Sequence, residues 1–386
     1  MEHSVSPAEK TGRRHEWLDA ATAERLKPSA PIAAGNFALC LFFYLVSLVG
    51  AVADLPIWLN VIFSLANGLA IGLLFIIGHD AVHQSFFPGV LANQIVARIA
   101  LLPQLHSASL WELGHNRSHH RKTNCRSVDY VWAPATLDEY RRMSPARRLV
   151  ERIYRGPLGP FFYYQIEIWF KRMLLPLHAE ARKEWRRHVF DSAYVFVAGA
   201  VLLAGIACLG LTLAPLRSVP ATIGLGFALP FAIWGYLGGL TFYLQHTHPN
   251  APWFDDAADW SFYRGVIRGT VHARNVIRGV PIYAQVMEHN AHHSAPTIPV
   301  YRLPLAQEQV ARTYPGEFVR FNFTAASYLR IVSACKLFDY DHCQWIDFAG
   351  RPTGPALREP ALANAASNPF ARAKFDRPAA AQPGVA

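Results

Sequence analysis

The amino-acid sequence predicts an all-α integral membrane protein with four transmembrane helices in two hairpins, additional interfacial helices and a cytoplasmic, histidine-rich cap. Three observations lead to this fold class. Of the 386 residues, 52% are hydrophobic and 17% are charged, and the mean hydropathy is positive at +0.12. The apolar residues are concentrated in four long runs, and most of the 17 histidines stand in short groups outside them. Low charge and 13% aromatic residues exclude a disordered chain, and five scattered cysteines exclude a disulfide scaffold.

Each of the four apolar runs is long enough to cross about 30 Å of hydrocarbon at about 1.5 Å per residue. None of them contains Lys, Arg, Asp or Glu in its interior. Their close spacing in two pairs predicts two helical hairpins. The predicted spans are residues 32–53, 57–78, 192–214 and 221–244.

The distribution of basic residues predicts the orientation, because positive charge concentrates on the cytoplasmic side. The short connectors within each pair hold a single Arg, Arg217, whereas the segment between the pairs is rich in Arg. We therefore expect a multi-pass protein with both termini in the cytoplasm. The net charge of +10 fits a membrane surface, and no motif indicates nucleic-acid binding.

The chain divides into three predicted parts. Residues 1–31 form a cytoplasmic N-terminal segment, residues 32–350 the membrane domain, and residues 351–386 an Ala-, Pro- and Gly-rich tail that we expect to be poorly ordered. Within the membrane domain, residues 86–105 and 156–177 are apolar but interrupted by Pro or basic residues, which predicts helices lying in the interface.

The histidines form three clusters and one further pair. Residues three or four apart share a helix face about 5–6 Å apart, so the spacing within each cluster can place imidazoles side by side. Neutral imidazole is a common ligand for zinc, copper, iron and nickel, and eight such rings exceed the three or four that one zinc ion uses. They suit two metal ions with positions left open. The clustered residues are His79 and His83; His115, His119 and His120; and His289, His292 and His293.

The pair His246 and His248 directly follows the fourth span, and residues two apart do not share a helix face. We favour His246 as a further ligand, with an interfacial capping role as the alternative. Metal-bound histidine usually donates its other N–H to a carboxylate or carbonyl. Carboxylates that could accept such bonds, or could be solvated surface charges, are Asp80, Glu288, Asp129 and Asp255.

The motifs GHDAVHQSFF, GHNRSHHRKTN and EHNAHH resemble the three histidine boxes of integral-membrane fatty acid desaturases. LQHTHPNAPWFDDAADW and HHSAPTIPVYRL resemble segments of acyl-lipid desaturases of the delta-12 (omega-6) type. The resemblance covers roughly residues 30 to 330, with boxes and spans in the same order. One departure concerns the second box, which has three residues between His115 and the His pair where the delta-12 group usually has two. Either His115 shifts by one helical position or Asn116 fills part of its role.

The resemblance implies a di-iron, oxygen-dependent enzyme that introduces a cis double bond into an acyl chain. The resemblance implies that the box histidines bind two iron ions. It also implies O2 as co-substrate and a membrane lipid or an acyl carrier as the source of the acyl chain. No fused electron carrier is visible, which implies a separate donor such as ferredoxin. An acyl hydroxylase, a ketolase, an acetylenase, or a carotenoid or alkane oxygenase could use the same site. A metal transporter is disfavoured, because the span interiors hold no ionisable residue.

Overall fold

The computed structural model describes residues 17–357 of the chain. Four helices in this part are long and apolar enough to cross a membrane, and they coincide with the four predicted spans. In chain order we call them the first to fourth spanning helices: Ala30–Val52, Ile57–Val82, Ala179–Leu213 and Val219–His246. The second and fourth continue a few residues beyond the predicted apolar runs, and those extra turns carry His79 and His246.

The first and second spanning helices pack along each other across the connector at residues 53–56. Asn60 stabilises this connection, because its side-chain amide donates to the carbonyls of Gly50 and Ala53 at 2.9 and 3.0 Å. The second spanning helix also packs against the fourth. The second helix is thereby largely enclosed by its neighbours.

Shorter helices fill the segments outside the spans, and two irregular stretches, Ala179–Glu184 and Gly224–Ala228, lie within the third and fourth spanning helices. The α-helices are Ala20–Arg25, Val90–Ala100, Ala108–Trp111, Leu137–Arg142, Pro145–Tyr154, Gly159–Tyr163, Pro281–Val286, His289–Ser294, Leu303–Thr313 and Ala325–Ala334. The π-helical turns are Glu112–His119, Tyr164–Met173, Gly224–Ala228 and Tyr263–Ile267, and 3₁₀ turns cover Ala179–Glu184 and Val300–Arg302.

The helical segment 159–173 falls within the predicted interfacial stretch 156–177. One of its faces is exposed and apolar, with Phe170 64% exposed, and the other packs on the fourth spanning helix. Gly235 and Gly239 allow this close crossing, since a methyl group at Gly239 would overlap the carbonyl of Pro160. Small residues spaced four apart commonly let helices approach in this way.

Two small sheets correct the expectation of an all-α protein. Val271–Arg274 pairs in parallel with Val319–Asn322, and Leu337–Asp339 pairs antiparallel with Gln344–Ile346. These strands have three or four residues each. Such short segments hold too few alternations for the period of two to be read from the sequence.

The predicted boundary at residue 350 falls inside ordered structure. The amides of Thr353 and Leu357 donate to the carbonyls of Trp345 and Cys343, both at 2.9 Å. The folded part therefore extends at least to Leu357. The expectation of a poorly ordered tail otherwise falls on residues 358–386, which lie outside the described residues, as do residues 1–16 of the predicted N-terminal segment.

Candidate metal centre

All nine histidines that the sequence singled out as ligands are buried, and they form two groups. Within each group one ligand atom per residue lies within 4.8 Å of all the others. The five-histidine cluster consists of His79, His83, His115, His120 and His292. The four-histidine cluster consists of His119, His246, His289 and His293.

Four chain segments supply these rings. His79 lies in the last turn of the second spanning helix, His83 directly follows the end of that helix at Val82, and the fourth ends at His246. The π-helical turn Glu112–His119 and the helix His289–Ser294 bring the other two sets. Both of these segments give rings to both clusters, whereas the second spanning helix serves only the five-histidine cluster and the fourth only the four-histidine cluster. Each cluster therefore forms only when three segments pack together.

A π-helical turn accounts for the unusual spacing of the second box. The amide of His120 donates to the carbonyl of His115 at 2.9 Å, five residues back instead of four. A π turn accommodates one extra residue in a helix, so His115 and His120 face the same way and their Nε2 atoms lie 3.0 Å apart. Asn116 joins neither cluster, and its amide donates to the carbonyl of Val82. The structure thus places the His115 ring within the five-histidine cluster.

The ring nitrogens converge at distances suited to metal coordination. Two ligand nitrogens at right angles, each about 2.1 Å from a metal ion, lie about 3 Å apart. The Nε2–Nε2 distances are 2.8 Å for His79 and His115, 3.1 Å for His120 and His292, and 2.8 Å for His246 and His289. The Nε2 atoms of His119 and His293 are buried without a hydrogen-bond partner. The donor set therefore fits two metal ions.

Buried carboxylates hold one ring in each cluster. Nδ1 of His79 lies 3.1 Å from Asp80, whose other oxygen accepts the amide of Val300. Nδ1 of His119 lies 2.9 Å from Asp129. A carboxylate that accepts Nδ1–H leaves Nε2 as the free lone pair and fixes the ring orientation. Of the four carboxylates considered from the sequence, Asp80 and Asp129 lie at the centre.

Two orienting residues were missed by the sequence reasoning. The Thr123 hydroxyl lies 2.8 Å from Nδ1 of His293, and the side-chain oxygen of Asn124 lies 3.2 Å from Nδ1 of His246. Both side chains are fully buried. They stand one turn after the His119–His120 pair, within the HHRKTN stretch, and this position next to the second box was the available signal.

An apolar cavity ends at the histidines. It lies between the second and fourth spanning helices and the helix Pro281–Val286. Residues of both clusters close one end, namely His79 and His292 from the five-histidine cluster and His289 from the four-histidine cluster. The walls are mainly hydrophobic, and they include Gly72, Phe75, Ile76, Trp234, Leu237, Phe242 and Val286.

Residues 56–325 match the sequence profile of the fatty acid desaturase family, which covers more than half of the chain. The chain belongs to the fatty acid desaturase family. This desaturase is thus an oxidoreductase, and its four apolar helices make it a membrane protein.

Curated relatives of the desaturase carry related names. A Synechocystis sp. protein named sn-1 oleoyl-lipid 12-desaturase is 28% identical over 72% of this chain and 75% of its own length. A Bacillus subtilis protein named fatty acid desaturase is 25% identical over 71% of this chain and 73% of its own length. The chloroplastic omega-6 fatty acid desaturase of Arabidopsis thaliana is 27% identical over 71% of this chain and 58% of its own length.

Burial keeps the rings of His115, His120 and His293 neutral. The loss of hydration, followed by the neighbouring imidazoles, holds the pKa of His115, His120 and His293 well below the usual value of a histidine. A neutral imidazole retains the lone pair that a metal ion requires. The low pKa values therefore match the role of ligands.

The remaining sequence candidates lie away from both clusters. Nδ1 of His248 accepts the amide of Asn250, so of the two residues of that pair it is His246 that reaches a cluster. Glu288 pairs with Nε2 of His272 at 2.9 Å. Asp255 forms an ion pair with Arg126 at the surface. None of these three contacts involves a cluster ring.

Proposed function

We propose that this desaturase introduces a cis double bond into an acyl chain of a membrane lipid, at the delta-12 (omega-6) position. The proposal includes two iron ions at the two clusters, O2 as co-substrate and a separate electron donor such as ferredoxin. The observation that carries it is the apolar cavity between the second and fourth spanning helices, which ends at both clusters.

The names of the relatives support the position of the double bond. The Synechocystis relative is named for the 12-position of an oleoyl lipid, and the Arabidopsis relative for the omega-6 position. Both matches extend over about seven-tenths of this chain. The resemblance is thus spread over the domain that contains the cavity and both clusters.

Iron at this centre would supply the activation of O2 for removal of hydrogen from two neighbouring methylenes. The nine imidazoles would hold the two ions, and Asp80 and Asp129 would keep the rings of His79 and His119 turned toward them. Phe75, Leu237 and Val286 would hold the acyl chain in an extended path and exclude water beside the reacting carbons. The protein would therefore bind the iron ions, orient the acyl chain and exclude water from the reacting carbons.

The same proposal includes the orientation in the membrane. The helix ends that carry the histidines lie on the side of the Arg-rich middle segment, which supports a cytoplasmic location for the centre and both termini. Two hairpins with a cap over their cytoplasmic ends would then expose the centre to a soluble electron donor. Basic residues on this side could attract its acidic face, or contact lipid headgroups.

The test is expression in a host that lacks polyunsaturated lipids but supplies a ferredoxin. Gas chromatography with mass spectrometry of total acyl chains should show a new diunsaturated species with a double bond at the delta-12 position. His119→Ala should abolish this species. His342→Ala is the matched control and should retain it, because that ring is exposed and paired with Asp339. A hydroxylated or acetylenic product would contradict desaturation, and a different bond position would contradict the delta-12 assignment alone.

A further inference from the structure

The two clusters differ in how their rings are anchored. In the four-histidine cluster, the outer nitrogens of His119, His246 and His293 each meet a buried acceptor. Those acceptors are Asp129, Asn124 and Thr123, which are fully buried. The outer nitrogen of the fourth ring, His289, is buried without a partner. In the five-histidine cluster, Asp80 plays this part for His79, and the outer nitrogen of His292 is likewise buried without a partner. Three of the four rings in the smaller cluster thus meet a buried acceptor.

The anchoring bonds of the four-histidine cluster have fixed directions. The Thr123 hydroxyl donates its hydrogen to the carbonyl of His119 at 2.7 Å, so toward His293 it can only accept. The amide nitrogen of Asn124 donates to the carbonyls of Pro252 and Gly269, so its oxygen accepts from His246. Both rings are thereby held with Nδ1 protonated and the Nε2 lone pair directed inward.

The clusters also differ in their access to water. His119, His246 and His293 are completely buried, whereas His83 is 9% exposed. His83 lines a polar pocket that opens to the surface, together with Gln84, Glu112, Asn116 and Arg187. A polar route thus leads from solvent to the five-histidine cluster.

We propose that the two metal positions are kinetically inequivalent: the four-histidine cluster retains its ion, and the five-histidine cluster exchanges its ion through the polar pocket. Thr123 is a positioning residue for the retained ion, because it anchors His293 and the backbone of His119 together. This inference rests on the proposed di-iron function.

The fifth imidazole strengthens equilibrium binding at the five-histidine cluster. Release, however, requires rings to turn away from the ion and a path for the ion to leave. Loss of one orienting partner typically changes metal affinity about 10–100-fold. Anchoring and enclosure both act against release from the four-histidine cluster, so its ion should leave more slowly.

The experiment follows iron release from the purified, iron-loaded full-length protein in detergent, with excess ferrozine as the coloured chelator. Two phases of equal amplitude should appear, each one iron per protein, with rates at least about tenfold apart. A single phase releasing both ions would overturn the inference.

Variants assign the phases to the clusters. Thr123→Val keeps the side-chain shape but removes the hydroxyl, and should accelerate the slow phase about tenfold or more while leaving the fast phase unchanged. Thr212→Val is the matched control, because that hydroxyl also donates to a carbonyl four residues back, that of Cys208, but is exposed on the third spanning helix and contacts no cluster ring. It should leave both phases unchanged.

His83→Ala provides a second, independent assignment. It should accelerate the fast phase further or empty that cluster, and in either case leave the slow phase of one iron per protein unchanged. Loss of the slow phase instead, or a Thr123→Val protein whose slow phase is unchanged, would overturn the inference. A folded wild-type protein that binds no iron would defeat the proposed function itself. A protein with two equally labile ions and intact desaturation would defeat only the inequivalence.

Discussion

The second and third spanning helices are equally apolar but differ in burial and in the residues at their ends. The most apolar stretches of the two helices have mean hydropathies of 2.3 and 2.4. Nevertheless, 67% of that stretch is buried inside the protein in the second helix, and only 22% in the third. The third helix exposes large apolar side chains such as Val197 and Val201, which are 66% and 67% exposed. The second ends at the metal centre with His79 and Asp80. Hydropathy therefore identifies a span, but the polar residues that continue it show which span carries the site.

The largest expected effect is the loss of a ligand from the second spanning helix. His79→Ala should reduce desaturation by more than the roughly 100-fold typical of losing an orienting partner, since the ring itself belongs to the five-histidine cluster. The measurement is the amount of new unsaturated acyl chain per inserted protein. Activity comparable to wild type would remove His79 from the ligand set.

Asp80→Asn should have a smaller effect on the same helix. The amide keeps the shape, but its single oxygen can accept from His79 only if its NH2 group faces the amide of Val300, and it lacks the charge that favours Nδ1–H. We expect about 10–100-fold lower activity or iron affinity, measured by product formation and iron content together. Unchanged values in both would show that Asp80 has only a packing role.

A matched pair of glycines tests whether the second spanning helix is packed more tightly than the third. A Cβ at Gly68 in the second helix would lie 2.6 Å from Cβ of Ile233 in the fourth, whereas a Cβ at Gly205 in the third would have nothing within 4 Å. Gly68→Leu should lower stability by about 1–3 kcal/mol through overpacking. Gly205→Leu should be near neutral. The two variants are compared by thermal unfolding in detergent, monitored by size-exclusion chromatography. An equal loss of stability in both would contradict the difference in burial.

The smallest effect is expected from a change that keeps the fold and reshapes the cavity. Phe75 lines the cavity on the second helix, and Phe196 on the third is 53% exposed. Phe75→Leu should shift the preferred chain length or bond position by up to about 10-fold, since one methylene in a pocket gives discrimination of that order. Phe196→Leu should leave the product profile unchanged. Acyl-chain analysis by mass spectrometry distinguishes the two.

Much of the centre could be predicted from spacing alone. The i to i+4 interval of His79 and His83 places both rings on one helix face, and both belong to the five-histidine cluster. The partition of the second box could not be predicted, because it depends on a π turn that joins His115 to His120 and directs His119 to the other cluster. Thr123 and Asn124 were missed because their importance lies in contacts with rings more than 100 residues away along the chain.

The sequence by itself determined the spans and predicted the clustered histidines as ligands. Long apolar runs have few alternatives to spanning helices, and histidines at helical spacing are typical of metal sites. Only the tertiary structure decided which rings lie in the same cluster, that His246 and not His248 reaches a cluster, and that the cavity ends at both clusters. The physical reason is that hydrophobicity and helical period are local properties, whereas a coordination site forms where separate helix ends meet.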